Sequence, residues 1–420
     1  MTPVFESLQL AGWRQFAKVD LDFHERLTIL TGRNGSGKST ILKILEFHFP
    51  LGRMPFFVGT PELDTAGRLK FSSNSADNFL KYRIEFPDGN SIGRITYTDQ
   101  EKVILSVPKQ PDGQYMLSFQ GNKPNVPGFA LLSEGVEAYY TPIIDVKASL
   151  PDPTNFFDKF IESLRQSAPS PDTAWRNIHR IRKSELVRTF FHSSVRNEFA
   201  NRDALRIIGA FQESLTALLP SELGFRKIDI RENEIAFLTT RGEFSMDSMS
   251  HGLSRIVDLA WMAVLLSLSK DNFVITIDEP ENHLHPSIQQ QLVARLVAFF
   301  PQAQFIIATH SPLVVSSVKD SRVYVLNNKI DDQNIESELL DTINKAGTAN
   351  EILKSVLGLD HTMPFWAEEI LNSVANKLTA KHWSYEEIKD VADELETNGL
   401  IDYAPHLIKE VIKRREEGGD

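Results

Sequence analysis

The chain has 420 residues, of which 41% are hydrophobic, so it can bury one large core or two smaller ones. The absence of cysteine excludes disulfides and thiolate metal sites. No apolar run is expected to span a bilayer and no signal peptide is expected, which predicts a cytoplasmic protein with no membrane contact. The net charge of −11 disfavours nucleic acid, although the distribution of this charge matters more than its sum.

The first informative segment is a glycine-rich loop between a predicted strand, residues 27–31, and a predicted helix, residues 40–45. It matches the phosphate-binding pattern G-x-x-x-x-G-K-[ST] at every fixed position, so its backbone N–H groups are predicted to surround the phosphates of ATP. Lys38 is predicted to reach the β- and γ-phosphates, and the Ser39 hydroxyl to coordinate Mg²⁺. The predicted nucleotide-binding residues of this loop are Gly32, Arg33, Asn34, Gly35, Ser36, Gly37, Lys38, Ser39 and Thr40.

The middle of the chain changes character along its length. Residues 66–150 are strand-rich, with turns predicted at Asp88-Gly89-Asn90 and Asp112-Gly113, and residues 155–220 are helical. Residues 176–206 combine basic and aromatic side chains, which suit a nucleic-acid backbone, a dimer interface or a solvated helix equally well. The basic residues are Arg176, Arg180, Arg182, Lys183, Arg188, Arg196, Arg202 and Arg206.

Ser250 and Gly252 precede an apolar helix predicted over residues 253–268. Ser250 is a good N-cap, and a helix N-terminus attracts anions. Taken alone, this segment also fits the start of an ordinary core helix.

Two further predicted strands each place polar side chains at their carboxyl ends. Residues 273–277 lead into Asp278 and Glu279, and residues 305–308 lead into Thr309 and His310. Because open α/β sheets bind ligands at this edge, Asp278 is predicted to hold Mg²⁺ and Glu279 to accept a proton from the attacking water. His310 is predicted to contact the γ-phosphate, so Lys38, Glu279 and His310 are the expected catalytic residues.

In this order, the phosphate loop, Ser250-x-Gly252, Asp278-Glu279 and His310 resemble the motifs of ABC-type ATPases. Residues 278–286 (DEPENHLHP), residues 309–312 (THSP) and residues 12–16 (GWRQF) are similar to the overcoming-lysogenization-defect (OLD) and SMC/RecF-like branch. The resemblance covers residues 1–50 and about 235–330.

This resemblance implies an α/β fold, a P-loop NTPase with an ABC-type head of mixed sheet plus an antiparallel flanking sheet. It also implies a homodimer or higher homo-oligomer in which Ser250 and Gly252 reach the ATP of the opposite subunit. The signature differs from Leu-Ser-Gly-Gly-Gln at Met249, His251 and Leu253, and the Q-loop glutamine of the family is not assigned. The expected divisions are an N-terminal lobe (1–150), a helical insertion (151–225), a C-terminal lobe (226–330) and a helical appendage (331–420).

The predicted appendage is acidic. Residues 331–420 carry 20 Asp and Glu against 9 Lys and Arg, which is the entire excess of negative charge in the chain. Helices are predicted over residues 350–357, 364–378, 384–396 and 405–415. This segment is either a docking surface for a partner or a solvated lid.

OLD-type nucleases carry a C-terminal TOPRIM domain, whose strand-borne acidic cluster is not recognisable after Leu326. The chain therefore resembles the ATPase subunits of bacterial anti-phage systems, such as the PtuA subunits of Septu or the AriA subunits of PARIS. These work with a separate nuclease or toxin effector. The alternatives are a RecF-like DNA repair or recombination ATPase that binds DNA, and a nucleotide-dependent scaffold that hardly hydrolyses.

Overall fold

The computed structural model describes residues 2–52, 54–73, 90–108, 113–133, 155–167, 177–193, 202–231, 234–328, 334–340, 351–352, 365–379, 385–404, 407 and 411. Asp88 and Gly89 of the first predicted turn and Asp112 of the second lie outside these residues. So do Arg176, Arg196 and most of the helices predicted over 350–357 and 405–415.

The described residues contain eighteen strands. They are β1 Phe5–Trp13, β2 Phe16–Asp22, β3 Leu27–Thr31, β4 Phe56–Val58, β5 Thr60–Leu63, β6 Leu69–Ser72, β7 Ser91–Tyr97, β8 Lys102–Ser106, β9 Gln114–Met116, β10 Ser118–Gln120, β11 Gly128–Leu131, β12 Phe225–Arg231, β13 Glu234–Thr239, β14 Gly242–Ser245, β15 Phe273–Asp278, β16 Ala303–Ala308, β17 Arg322–Asn328 and β18 Ile335–Leu339.

The helices of the same residues include three short 3₁₀ turns, Ser221–Leu223, Met246–Ser248 and Ile401–Tyr403. The α-helices are α1 Lys38–Glu46, α2 Phe156–Gln166, α3 Ile178–Ser193, α4 Arg202–Leu218, α5 His251–Ser269, α6 Pro286–Phe299, α7 Pro312–Val315, α8 Phe365–Thr379 and α9 Tyr385–Thr397.

A mixed sheet runs through the first compact unit of the chain, residues 1–352, in the strand order β10-β8-β7-β1-β2-β18-β17-β3-β16-β15-β11. Neighbours from β17 to β11 pair in parallel, whereas β10, β8, β7, β1 and β2 pair antiparallel. The predicted P-loop fold with a mixed sheet and an antiparallel flank is therefore confirmed. The antiparallel flank is hydrogen-bonded into the same sheet, and β12-β13-β14 forms a separate antiparallel sheet.

The parallel strands that position the site are buried along their length. β3 and β16 consist entirely of buried residues, and β15 is buried except at its last residue, Asp278. Their sequences are mostly apolar, and burial does not alternate along them, as expected for strands covered on both faces. Helix α1 contacts β15 and β16, and α5 contacts β11 and β15.

Helix α5 is the central core helix of the first compact unit, residues 1–352, which is called the head below. It is long and apolar enough, by length and composition alone, to meet the criterion for a membrane span, which contradicts the expectation that no such run exists. In the structure, 78% of an 18-residue apolar stretch of this helix is buried inside the protein. Helices α2, α3 and α4 pack against it, with Trp261 of α5 contacting Phe211 of α4 at a ring-centroid distance of 5.2 Å. Its apolar surface is thus occupied by protein.

The chain divides into two compact units, residues 1–352 and residues 353–420. The first unit extends past the expected boundary at 330, because β18 pairs with β17 and β2 inside the central sheet. The second unit has its own small core of apolar residues from α8, α9 and the segment that follows. The helices predicted over 364–378 and 384–396 match α8 and α9 within one residue at each end.

Candidate functional site

The phosphate loop between β3 and α1 depends on two glycines that no other residue could replace. Gly32 has φ 136° and Gly37 has φ 93°, in the region that side chains disfavour. A Cβ at Gly32 would lie 2.4 Å from the backbone oxygen of Leu326, and one at Gly37 would lie 2.3 Å from Phe16 Cζ. Gly32 therefore lies against the backbone of β17, and Gly37 lies against the Phe16 ring of β2.

Lys38 is the first residue of α1, and its amine is turned back into the loop. Nζ donates to the backbone oxygens of Gly32 at 2.9 Å and Arg33 at 3.0 Å, and the side chain is 5% exposed. Burial lowers the pKa of Lys38 to about 8, while nearby carboxylates, Asp278 first, act to raise it. A phosphate entering the loop would offer this buried cation an anionic partner in place of neutral carbonyls.

Asp278 lies beside Ser39 at the carboxyl edge of the sheet. The register of β15, β16 and β3 aligns Asp278 with Ala308, and Ala308 with Leu30, so the three strands end together. The Asp278 carboxylate accepts a hydrogen bond from Ser39, but burial is the largest influence on its pKa and raises it. A carboxylate and a hydroxyl oxygen on facing elements fit Mg²⁺, which prefers oxygen ligands and one or two carboxylates.

Glu279 and His310 follow Asp278 and the end of β16. Glu279 has φ 51°, unusual for a residue with a side chain, and its N–H donates to Ala308 O at 2.8 Å. His310 Nε2 lies 3.9 Å from Glu279 Oε1, and both side chains are 33% exposed. Burial, with help from the Lys38 charge, lowers the pKa of His310, while the nearby carboxylates, Glu279 first, act to raise it. The predicted base and the predicted phosphate contact therefore stand side by side.

Sequence reasoning missed two charged residues that assemble this edge. Glu281 accepts hydrogen bonds from Thr309 Oγ1 and from the backbone N–H groups of His310 and Ser311. Arg255 of α5, 7% exposed, donates to the backbone oxygens of Leu132 at 2.7 Å and of Asp278 and Glu279 at 3.3 Å. The sequence shows Glu281 in the acidic segment after β15, but the hydrogen-bond partners of Glu281 and most of those of Arg255 lie far away along the chain, so the sequence does not reveal these contacts.

Ser250 and Gly252 lie at the start of α5. The Ser250 side chain is exposed and accepts from the N–H of Leu253 at 3.5 Å, as expected for an N-cap. Gly252 is buried, and a Cβ there would lie 2.4 Å from the backbone oxygen of His283. Gly252 therefore allows the helix to pack against the loop after Glu279, a structural role that the sequence alone did not reveal.

The basic helix predicted as a nucleic-acid surface is partly internal. Arg182 and Lys183 of α3 are each 2% exposed. Arg182 forms an ion pair with the buried Asp258 of α5, and Lys183 Nζ donates to Glu234 at 2.8 Å and Asp247 at 2.6 Å. These charges hold the helical insertion to the head, so they cannot meet a phosphate backbone. Among the described members of the basic set, those exposed are Arg180, Arg202 and Arg206.

The family model described as "AAA domain, putative AbiEii toxin, Type IV TA system" matches residues 27–316. The chain belongs to this family. A second model, "P-loop containing region of AAA domain", matches residues 5–45. The AAA match and the geometry of the phosphate loop agree that the protein is an ATPase with a nucleotide-binding P-loop fold.

The chain is also similar to individual proteins along most of its length. It is 22% identical over 385 residues to the Septu protein PtuA of Bacillus thuringiensis, covering 87% of each chain. It is 21% identical over 380 residues to the Retron Vc95 probable ATPase of Vibrio cholerae serotype O1 biovar El Tor, covering 76% of this chain and 73% of that one. Among solved structures, the Smc head domain with an extended coiled coil bound to the C-terminal domain of ScpA from Pyrococcus furiosus matches 84% of this chain and 99% of its own. Its TM-score is 0.45 at 16% identity.

Proposed function

We propose that this ATPase serves a bacterial anti-phage defence system, closing as a dimer around ATP and controlling a separate nuclease or toxin. The observation that carries the proposal is the convergence of Lys38, Asp278, Glu279 and His310 on one sheet edge. Such a set supplies the charge stabilisation and the base that phosphoryl transfer to water requires. The similarity to PtuA and to a retron ATPase over most of the chain supports the defence setting and a place in the cytoplasm.

In this proposal the head binds the phosphates of ATP through the loop and α1. The Lys38 amine leaves the two loop carbonyls and pairs with the β- and γ-phosphates. Ser39 and Asp278 would hold Mg²⁺, which would supply positive charge against the phosphates. The remaining contacts come from the backbone N–H groups of the loop, in residues Gly32, Arg33, Asn34, Gly35, Ser36, Gly37 and Thr40.

Glu279 acts as the general base. Its Oε1 atom is the oxygen nearest to His310, while Oε2 accepts from Asn282 Nδ2 at 2.7 Å. With Oε2 engaged, Oε1 is the oxygen that takes the proton of the attacking water. The His310 imidazole donates a hydrogen bond to the γ-phosphate.

The second subunit contributes the start of α5. Ser250 is exposed at the N-terminus of a 19-residue helix, where backbone N–H groups and the helix dipole favour an anion. We place the Ser250 hydroxyl against the γ-phosphate of the partner's ATP. Gly252 contributes by allowing the start of α5 to pack against the backbone of His283.

Ser250→Arg should block hydrolysis while leaving ATP binding intact. Mixing it with Lys38→Ala chains should partly restore hydrolysis, and normal hydrolysis by Ser250→Arg alone would refute this role.

The effector docks on the second unit. Residues 353–420 carry 14 Asp and Glu against 8 Lys and Arg, so this small unit is acidic. Its described surface also exposes Trp366, Ile401 and Tyr403. Apolar anchors among acidic side chains suit a partner with a basic, partly apolar surface.

The proposal is tested by purifying the tagged full-length chain after co-expression with the proteins encoded beside it. The Glu279→Gln chain, which should retain ATP, serves as the trap, and Lys38→Ala is the matched control that lacks ATP. We expect a nuclease-like or toxin-like protein to co-purify, and its activity to differ between the two variants. Failure to capture any neighbour, together with salt-sensitive DNA binding in ATP, would replace this proposal with a RecF-like DNA ATPase.

A further inference from the structure

The side chain of Glu281 joins the loop after β15 to the turn after β16. Its Oε1 atom accepts hydrogen bonds from Thr309 Oγ1 at 2.7 Å, from His310 N at 2.9 Å and from Ser311 N at 3.1 Å. A carboxylate that accepts from backbone N–H groups forms stronger hydrogen bonds than a neutral acceptor does. The backbone of His310 is therefore held by a residue from the preceding strand end.

This connection bears directly on the reacting groups. Glu281 lies two residues after Glu279 and accepts a hydrogen bond from the backbone N–H of His310. The imidazole of His310 lies 3.9 Å from Glu279 Oε1. We infer that Glu281 is a positioning residue for ATP hydrolysis, which holds His310 beside Glu279 and in reach of the γ-phosphate. The inference rests on the roles of Glu279 and His310 in the proposed function, and not on the effector.

A second contact supports the same turn from the other side. Gln289 of α6 donates from Nε2 to Leu284 O at 2.9 Å, and its Oε1 accepts from Ser311 Oγ at 3.1 Å. The turn that carries His310 is thus fixed at Thr309, His310 and Ser311 by side chains from the loop and helix after β15. Such fixed geometry is what an efficient hydrolytic site needs, because a misplacement of about 1 Å can cost roughly 10²-fold in rate.

The surroundings of Glu281 argue against a direct chemical role. Oε1 is occupied by three donors, and Oε2 is buried without a hydrogen-bond partner among the described residues. A carboxylate oxygen shielded from solvent cannot collect a proton from an attacking water. Glu279, whose side chain is partly exposed at the same edge, remains the group able to do so.

The test compares Glu281→Ala with Glu281→Gln in steady-state ATP hydrolysis by the full-length chain. Alanine removes all three hydrogen bonds, so kcat should fall about 10- to 100-fold with little change in KM. Glutamine keeps an oxygen acceptor at the same position, so kcat should stay within about threefold of the unmodified chain. A small loss is expected because a neutral acceptor forms hydrogen bonds that are roughly half as strong as those of a carboxylate. Glu243→Ala is the matched control, because Glu243 is an exposed carboxylate that also accepts two hydrogen bonds, from Arg231. Its kcat should not change.

A double-mutant cycle with His310→Ala separates positioning from a general structural role. If Glu281 acts through His310, Glu281→Ala should cost little further rate once His310 is alanine. Independent, multiplying losses would overturn the inference, as would a Glu281→Gln chain that is as slow as Glu281→Ala. If His310→Ala alone hydrolyses ATP normally, the proposed role of His310 fails and this inference fails with it. Loss in His310→Ala with normal rates in Glu281→Ala would overturn this inference alone.

The folded state of each variant is checked by circular dichroism and by ATP binding, which should be unchanged. Should Glu281→Ala not fold, Glu281→Asp takes its place. The shorter side chain keeps the charge and withdraws the acceptor from the turn, so the same loss of kcat is expected. A Glu281→Asp chain with normal kcat would overturn the inference.

Discussion

Replacing Arg182 by alanine should destabilise the head by about 3 kcal/mol, near the lower end of the cost of breaking a buried ion pair. The pair is fully enclosed, since the side chains of Arg182 and Asp258 are 2% and 5% exposed. Removal of the guanidinium leaves the Asp258 charge buried, but His179 Nδ1 lies 3.2 Å from Asp258 Oδ2 and can donate to it in the tautomer that is protonated at Nδ1. The remaining donor is the reason that the loss should not reach about 5 kcal/mol.

The assay is equilibrium unfolding in urea, followed by circular dichroism and by tryptophan fluorescence. Trp261 contributes to the fluorescence because it is buried on the same helix as Asp258. The matched control is Arg180→Ala, which removes an exposed arginine from the same helix as Arg182 and should change stability by less than about 0.5 kcal/mol. Added salt should barely alter the Arg182 effect, because buried pairs are screened little.

Equal, small losses from Arg182→Ala and Arg180→Ala would refute the internal role of this helix. Arg182→Met combined with Asp258→Leu adds a second check. Because it removes both charges, this double variant should recover most of the stability lost by Arg182→Ala. A stable Arg182→Ala chain that has lost salt-sensitive DNA binding would instead restore the nucleic-acid interpretation of the basic helix.

Three other predictions concern the nucleotide site and the partner surface. Lys38→Ala should remove most ATP affinity in calorimetry without lowering the melting temperature. In the unmodified chain, ATP affinity should fall by up to about tenfold per pH unit above pH 8. Burial lowers the pKa of Lys38 to about 8 in the ATP-free chain, so above this pH the amine must regain a proton before it can pair with the phosphates. A pH-independent affinity would contradict this, and Lys38→Arg should remove the dependence. Gly252→Ala should cost about 1–3 kcal/mol and slow hydrolysis, because its Cβ would meet a backbone oxygen at 2.4 Å. The control Gly209→Ala, in a helix with open space, should stabilise the chain by about 0.5–1 kcal/mol, and similar effects of the two changes would refute the packing argument. Deletion of residues 353–420 should abolish effector binding in a pull-down and leave ATP binding, whereas retained effector binding would move the docking site to the head. Charge reversal of exposed acids should weaken the complex more at low salt than at high salt. These acids are Asp390, Asp393 and Glu396.

The parts of the fold that the sequence predicts are those whose signals are local. The phosphate loop, the buried strands on either side of the site and the helices α8 and α9 each carry their pattern within a few residues. The convergence of Asp278 and His310 followed from one further rule, that parallel strands bind ligands at a common edge. No similarly local signal exists for Arg255, whose partners are carbonyls at residues 132, 278 and 279.

Long-range pairing explains where sequence reasoning failed. Arg182 and Lys183 read as a basic surface because their partners, Asp258, Glu234 and Asp247, lie more than 50 residues away along the chain. The segment at Ile335 was assigned to a helical appendage, whereas it forms a strand that enters the sheet between β17 and β2. About half of the acidic excess therefore belongs to the head, since residues 353–420 hold a net of −6.

The most direct test of the account is single-turnover hydrolysis of ATP by Glu279→Gln. Glutamine keeps the shape of the side chain but cannot take a proton, so the rate should fall about 10²–10⁴-fold while ATP stays bound. His310→Ala should give a smaller loss in the same assay. The Glu279→Gln chain should accumulate as an ATP-bound dimer, seen by light scattering. Near-normal turnover in this variant would contradict it, because another residue would then have to activate the water.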